Sequence, residues 1–136
     1  MITGLIAPLL TPFDDNLALD QEKFNAHAQR LLDTGCAGLA PFGTTGEALS
    51  VSHRERKAAL EGLVAAGIDP SVMIPGTGLC NLPDTVDLCQ HAINLGCAGV
   101  MTLPPFYFKG MSDAGLYDYF VQLIDMVNDD RLKICL

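Results

Sequence analysis

Gly38-Leu39-Ala40-Pro41-Phe42-Gly43-Thr44-Thr45-Gly46-Glu47 is the stretch on which the fold turns. An apolar run from Ala37 to Phe42 ends abruptly in a loop of glycines and threonines. Apolar runs without alternation belong to strands covered on both faces, which means a parallel sheet packed between helices. The glycines let the chain turn and let a ligand approach the main chain. The paired hydroxyls and free N–H groups then suit an anion.

Outward from this stretch the same unit recurs. Leu5 to Leu10 reads as a first strand, although Pro8 cannot donate to a ladder. Val72-Met73-Ile74 reads as a third strand, Ala98 to Leu103 as a fourth and Leu132 to Leu136 as the start of a fifth. The strand starts near residues 5, 37, 72, 98 and 132 lie 32, 35, 26 and 34 residues apart. Gly35-Cys36-Ala37-Gly38 and Gly96-Cys97-Ala98-Gly99 echo each other at the openings of two strands.

Helices fill the intervals. Asp20 is placed to cap one that runs to Thr34, with Phe24, Ala28, Leu31 and Leu32 on one face. Ser52 and Glu55 have capping-box spacing for a second, which ends near Ala66 and buries Leu60, Leu63 and Val64. Asn81 caps a third with Pro83 in its first turn and a stripe of Val86, Cys89 and Ile93. Ser112 caps a last helix, with Leu116, Phe120, Leu123 and Val127 on its buried face. Gly35, Gly67 and Gly96 are natural stops.

An eight-stranded β/α barrel of about 250 residues allots roughly 30 residues to each unit, and the intervals match. An open doubly wound sheet is the competitor, but Gly-x-Gly-x-x-Gly is missing after the first strand. The expected fold is therefore α/β: four βα units of a TIM (β/α)8 barrel plus the beginning of strand five. Residues 1–136 then form the N-terminal part of one barrel domain, and the expectation is that the rest lies beyond residue 136.

The totals exclude several function classes. A net charge of -8 argues against nucleic acid or an anionic membrane as partner. No apolar run reaches the length of a bilayer span, and the start has no basic region followed by an apolar one. Five cysteines with no C-x-x-C fit a reduced, cytoplasmic setting, where they serve as small buried apolar residues. His27, His53 and His91 show no zinc-ligand spacing, so no metal and no cofactor is expected.

In a barrel the chemistry sits in the loops after the strands. Thr44 and Thr45, flanked by Gly43 and Gly46, follow strand two; Gly76-Thr77-Gly78 follow strand three; Tyr107 follows strand four in an aromatic loop. Several directed donors at the first loop suit a carboxylate. A phosphate loop would need Gly-Lys-Ser/Thr, which is not there. A simple capped turn remains the competing reading of Thr44 and Thr45, and packing that of Tyr107.

Gly43-Thr44-Thr45-Gly46-Glu47, preceded by Thr3-Gly4 and Thr11-Pro12-Phe13 and followed by Pro105-Phe106-Tyr107, resembles the dihydrodipicolinate synthase / N-acetylneuraminate lyase family from residue 3 onward. These are class I, Schiff-base-forming, pyruvate-dependent aldolases on a TIM barrel. The resemblance implies that Thr44 and Thr45 hold a pyruvate carboxylate, and that Gly43 and Gly46 shape that substrate site. It implies that Thr44 joins a proton relay with Tyr107, which in the synthase reaches in from a neighbouring subunit. A homodimer or homotetramer is implied in turn. The nucleophilic lysine would sit on strand six, past residue 136. None of Lys23, Lys57, Lys109 and Lys133 matches its position, and residues 1–136 alone are expected to be inactive.

Phe106 stands where many lysine-pathway synthases pair a second tyrosine with Tyr107. A synthase-like condensation of pyruvate with an aldehyde is the leading expectation. N-acetylneuraminate cleavage, or that of another 2-keto acid, is the alternative. Two other readings stand beside them: a half-barrel that only binds carboxylate or a partner chain, and a metal-dependent aldolase, for which the strand-end loops offer only Glu47.

Overall fold

The computed structural model describes residues 2–136. Strands and helices follow in the order β1 (Ile6–Pro8), α1 (Gln21–Asp33), β2 (Gly38–Ala40), α2 (His53–Ala65), α3 (Leu82–Leu95), β3 (Val100–Met101), α4 (Asp113–Val127) and β4 (Ile134–Cys135). Short 3-10 turns lie at Ala48–Ser50 and Pro70–Val72.

The helices form where their local chemistry requires. Asp20 accepts from the Lys23 N–H, Asn81 from Asp84 and Ser112 from Gly115. Ser52 accepts from the Glu55 N–H while the Glu55 carboxylate takes the Ser52 N–H, which satisfies two end donors reciprocally. Gly96 closes α3 with a φ of 91°, a left-handed conformation that costs glycine nothing. Ser52→Ala should lower the unfolding free energy by about 1 kcal/mol. A denaturant midpoint indistinguishable from the parent's would count against the cap.

The strands differ from the sequence expectation in extent, and one differs in place. β1 pairs with β2 in parallel, Ile6 opposite Gly38 and Pro8 opposite Ala40, and β3 pairs with β4 in parallel, Val100 opposite Ile134. Pro8 is tolerated because it ends β1, and the ladder resumes when the Leu9 N–H donates to Ala40 O at 3.1 Å. The third strand expected at Val72-Met73-Ile74 is not formed there. Val72 closes the Pro70–Val72 turn, and pairing passes to residues 73–77. There the Ile74 N–H donates to Leu39 O and that of Gly76 to Pro41 O, while Met101 donates to Pro75 O and Thr77 to Met101 O. Pro75 has no N–H, so this segment bridges β2 and β3 without becoming a regular strand. The pairings among β1, β2, the 73–77 segment, β3 and β4 are all parallel, and these segments lie side by side in chain order, while the loop after β1 closes on itself through one antiparallel bridge, Phe13 opposite Leu19.

Each helix packs on the next, α1 on α2, α2 on α3 and α3 on α4. Two apolar clusters result. The first joins Leu9, Phe24, Leu39, Phe42, Leu63 and Met73, with the Phe24 and Phe42 rings stacked at 5.6 Å. The second joins Val86, Cys89, Ile93, Val100, Leu123 and Val127. Cys97 packs against both, and burial pushes its thiol up to about 11, out of the reactive range. The expectation of buried cysteines holds fully only at Cys89; Cys36, Cys80 and Cys97 are half-buried, and Cys135 is exposed on β4 because among the described residues nothing pairs beyond that strand. No described helix is long and apolar enough to cross a membrane.

Candidate functional site

A cavity of about 450 Å³ opens where β2, the 73–77 segment and β3 end. Gly43, Thr44 and Glu47 line one side, Gly76, Gly78 and Met101 another, and Leu49, Leu103 and Phe106 its outer wall. Two left-handed residues shape it, Phe42 at φ 60° and Glu47 at φ 50°. The loop between them is wound tightly, the Gly46 N–H donating to Gly43 O and that of Glu47 to Thr44 O, each at 3.1 Å.

That winding uses the carbonyls and leaves donors. Among the described residues the N–H groups and hydroxyls of Thr44 and Thr45 have no partner, and both side chains are exposed. No lysine or arginine lines the cavity. An anion here would be held by directed neutral donors, which suits a small carboxylate.

Gly46 is buried against the backbone of Leu9, so that a Cβ there would stand 2.5 Å from Leu9 O. Buried Thr11, at the end of the first strand segment, donates its hydroxyl to Gly46 O at 2.6 Å and ties the loop to the sheet. Sequence reading quoted Thr11 within a motif without giving it this task. A threonine immediately before a proline at a strand end was the available signal.

The second glycine-threonine loop turns out differently from the first. Thr77 is 1% exposed, shares a 2.8 Å hydrogen bond with the Thr102 hydroxyl and accepts from Cys89 Sγ at 3.3 Å. Its hydroxyl is used inside the fold, because residues 76 and 77 still belong to the ladder. Gly76 and Gly78 are what this segment shows to the cavity.

Of the residues expected at the site, Gly43 and Thr44 line the cavity, Gly46 supports it from within, and Thr45 stands beside it. Tyr107 is not brought in. It is 76% exposed, edge-on to the also exposed Phe108 at 5.7 Å. Phe106 takes the place on the cavity wall.

None of the four lysines lines the cavity. Lys23 pairs with Asp20 at 2.7 Å, and Lys109 donates to Phe106 O at 2.8 Å on the surface. Lys57 reaches across to α3 and meets Asp87 at 2.9 Å, with His53 on the same carboxylate. The Lys57 hydrogen bond holds the Asp87 carboxyl below the usual carboxylate range. Among the described residues no three His, Cys, Asp or Glu side chains gather into a metal cage.

Sequence reading also passed over Arg56, which is 1% exposed in α2. It donates from Nε to Val51 O at 3.3 Å and from Nη2 to Ala48 O, both carbonyls of the turn that lines the cavity.

Comparison with known proteins points one way. The chain matches the dihydrodipicolinate synthetase family over residues 1–132. It is 34% identical over 128 residues to the 4-hydroxy-tetrahydrodipicolinate synthase of Brucella suis biovar 1, covering 94% of this chain and 43% of that protein. The crystal structure of dihydrodipicolinate synthase from Agrobacterium tumefaciens superposes with a TM-score of 0.93 at 40% identity, over 96% of this chain and 46% of that one. YagE of Escherichia coli K12, a prophage protein of the dihydrodipicolinic acid synthase family crystallised with pyruvate, superposes at 0.85 with 33% identity, over 98% and 44%. The chain thus spans less than half the length of the relatives it matches.

Proposed function

The chain belongs to the dihydrodipicolinate synthetase family, and we propose that it supplies the carboxylate-holding half of a pyruvate-dependent class I aldolase. In this reading residues 1–136 are the first four βα units and the start of strand five of a (β/α)8 barrel. The observation that carries it is the loop at Gly43–Glu47, whose Thr44 and Thr45 donors stand free at the strand-end cavity.

Pyruvate would set its carboxylate on the Thr44 and Thr45 N–H and hydroxyl groups. A lysine amine from the segment that follows residue 136 would attack the keto carbon and expel water, forming an imine. Loss of a C3 proton then gives an enamine, which adds to an aldehyde, or the sequence runs backward to cleave a 2-keto acid. Thr44 would pass the proton, with Tyr107 supplied across a subunit contact. The exposed Tyr107 and Phe108 pair fits that use, and a homodimer or homotetramer follows from it. Condensation in the manner of the synthases is the preferred direction, and a cytoplasmic setting fits the free cysteines.

Borohydride reduction of the whole protein with pyruvate tests this. One lysine should gain a carboxyethyl group, and peptides from residues 1–136 should remain unmodified at Lys23, Lys57, Lys109 and Lys133. No adduct removes the reading; an adduct on one of those four removes the placement of the nucleophile. Assay of the same protein with aspartate semialdehyde, N-acetylneuraminate and sugar-derived keto acids separates condensation from cleavage.

A further inference from the structure

We infer that Arg56 is a positioning residue: it holds the Ala48–Ser50 turn in place and thereby keeps the carboxylate-binding loop open to its ligand. Arg56 lies one turn into α2, where its N–H donates to Ser52 O. Side chains on a helix lean toward its N-terminus, so Arg56 extends back over the residues that precede the helix. It meets Val51 O through Nε and Ala48 O through Nη2, one carbonyl at each end of the turn.

That turn has little hydrogen bonding of its own. It is a single 3-10 turn of three residues, closed by Ser50 N–H to Glu47 O and Val51 N–H to Ala48 O. So short a piece has little stability of its own. Leu49, at its centre, is 72% exposed, so the turn's apolar contacts lie only at its ends, where Ala48 packs against the first cluster and Val51 is buried in it. Yet the turn continues directly from Glu47, whose N–H closes on Thr44 O. Thr11 secures the near side of the loop through Gly46 O, and Arg56 secures the far side through Ala48 O.

The arrangement is costly, which argues that it does more than fill space. Arg56 is almost wholly buried, and among the described residues no carboxylate pairs with it and Nη1 has no partner. A buried cation compensated by carbonyls alone is an expensive way to fill a core. A fork of donors that spans two carbonyls is something lysine or glutamine cannot reproduce.

The functional half of this inference rests on the proposed pyruvate site; the structural half does not. Arg56→Gln and Arg56→Lys are compared with Arg54→Gln, a change at an exposed position of the same helix. In Arg56→Gln, amide exchange at 46–51 should quicken about tenfold, the loss of charged hydrogen bonds to a local turn, while amides at 60–65 keep the parent rate. KM for pyruvate should rise about tenfold with kcat changed less than about threefold. Arg56→Lys, with one reachable donor, should fall between, and Arg54→Gln should match the parent.

Exchange that quickens equally at 46–51 and 60–65, or a loosened turn with KM unchanged, overturns the inference. So does an Arg56→Lys protein that matches the parent in both readings. If Arg56→Gln does not fold, Arg56→Lys carries the same comparison. A parent protein that forms no pyruvate adduct would instead refute the proposed function, and the exchange data would still decide whether Arg56 holds the turn.

Discussion

Gly76→Ala should destabilise the fold by about 3–5 kcal/mol, beyond the range of ordinary overpacking, because no side chain can yield to the added methyl. A Cβ at residue 76 would stand 2.0 Å from Phe42 O and 2.7 Å from its carbonyl carbon. Phe42 cannot retreat. Its ring is 2% exposed and stacked on Phe24, and its backbone is already left-handed at φ 60°. Gly76 is equally fixed, donating to Pro41 O at 2.8 Å and bridging to Met101. The ladder must open at the point where it carries the cavity floor.

Gly43→Ala is the contrast. Its Cβ would meet Met101 Cε at 3.1 Å, the tip of a flexible side chain, and should cost no more than about 1 kcal/mol. Denaturant unfolding of the two variants measures both. Equal midpoints would mean that the strand segments can slide apart freely, and the close approach at Gly76 would then not be what fixes the cavity.

Thr44→Val should leave the fold unchanged and lower kcat about a hundredfold, the scale of losing one group from a proton relay. Valine nearly matches threonine in shape and removes the hydroxyl alone. Thr44 is exposed at the cavity and its hydroxyl supports nothing else among the described residues, so stability has little to lose. KM for pyruvate should also rise, since one carboxylate donor is gone, while the main-chain donors remain. Thr44→Ser should recover most of the rate. Thr45→Val, beside the cavity, should affect KM more than kcat. A Thr44→Val protein with full kcat would reduce the threonine to a carboxylate contact, and full kcat and KM together would return it to a capped turn.

The helices were legible because their signals are local. Asp20, Ser52 with Glu55, Asn81 and Ser112 cap as their spacing requires, and Phe24, Ala28, Leu63, Cys89 and Leu123 fall on buried faces. A cap needs a side-chain oxygen and an N–H three residues on, both of which the chain spells out. Strand extents were less legible because a strand ends where its partner's donors end. The clearest failure is the third strand, displaced from 72–74 to 73–77 by a turn at Pro70 and interrupted by Pro75.

The candidate site divides the same way. Gly43-Thr44-Thr45-Gly46-Glu47 was legible as a strand-end loop rich in donors by its residue types, and the N–H and hydroxyl groups of Thr44 and Thr45 do stand unpartnered at the cavity among the described residues. Thr77 looked equivalent on paper, yet Thr102 and Cys89 take up its hydroxyl from elements 25 and 12 residues away. Arg56 looked like one more charge on a helix, and burial against Ala48 O and Val51 O makes it a support of the loop.

By itself the sequence determined the helices, the parallel α/β character, the family and the loop that offers donors, because periodicity, caps and turn residues act over a few positions. Tertiary structure alone decided which threonine keeps its hydroxyl free, which glycines the backbone cannot replace and which arginine is buried. Those outcomes depend on groups that meet only when distant segments pack, and nothing in a residue's near neighbours encodes the distance between Gly76 and Phe42 O.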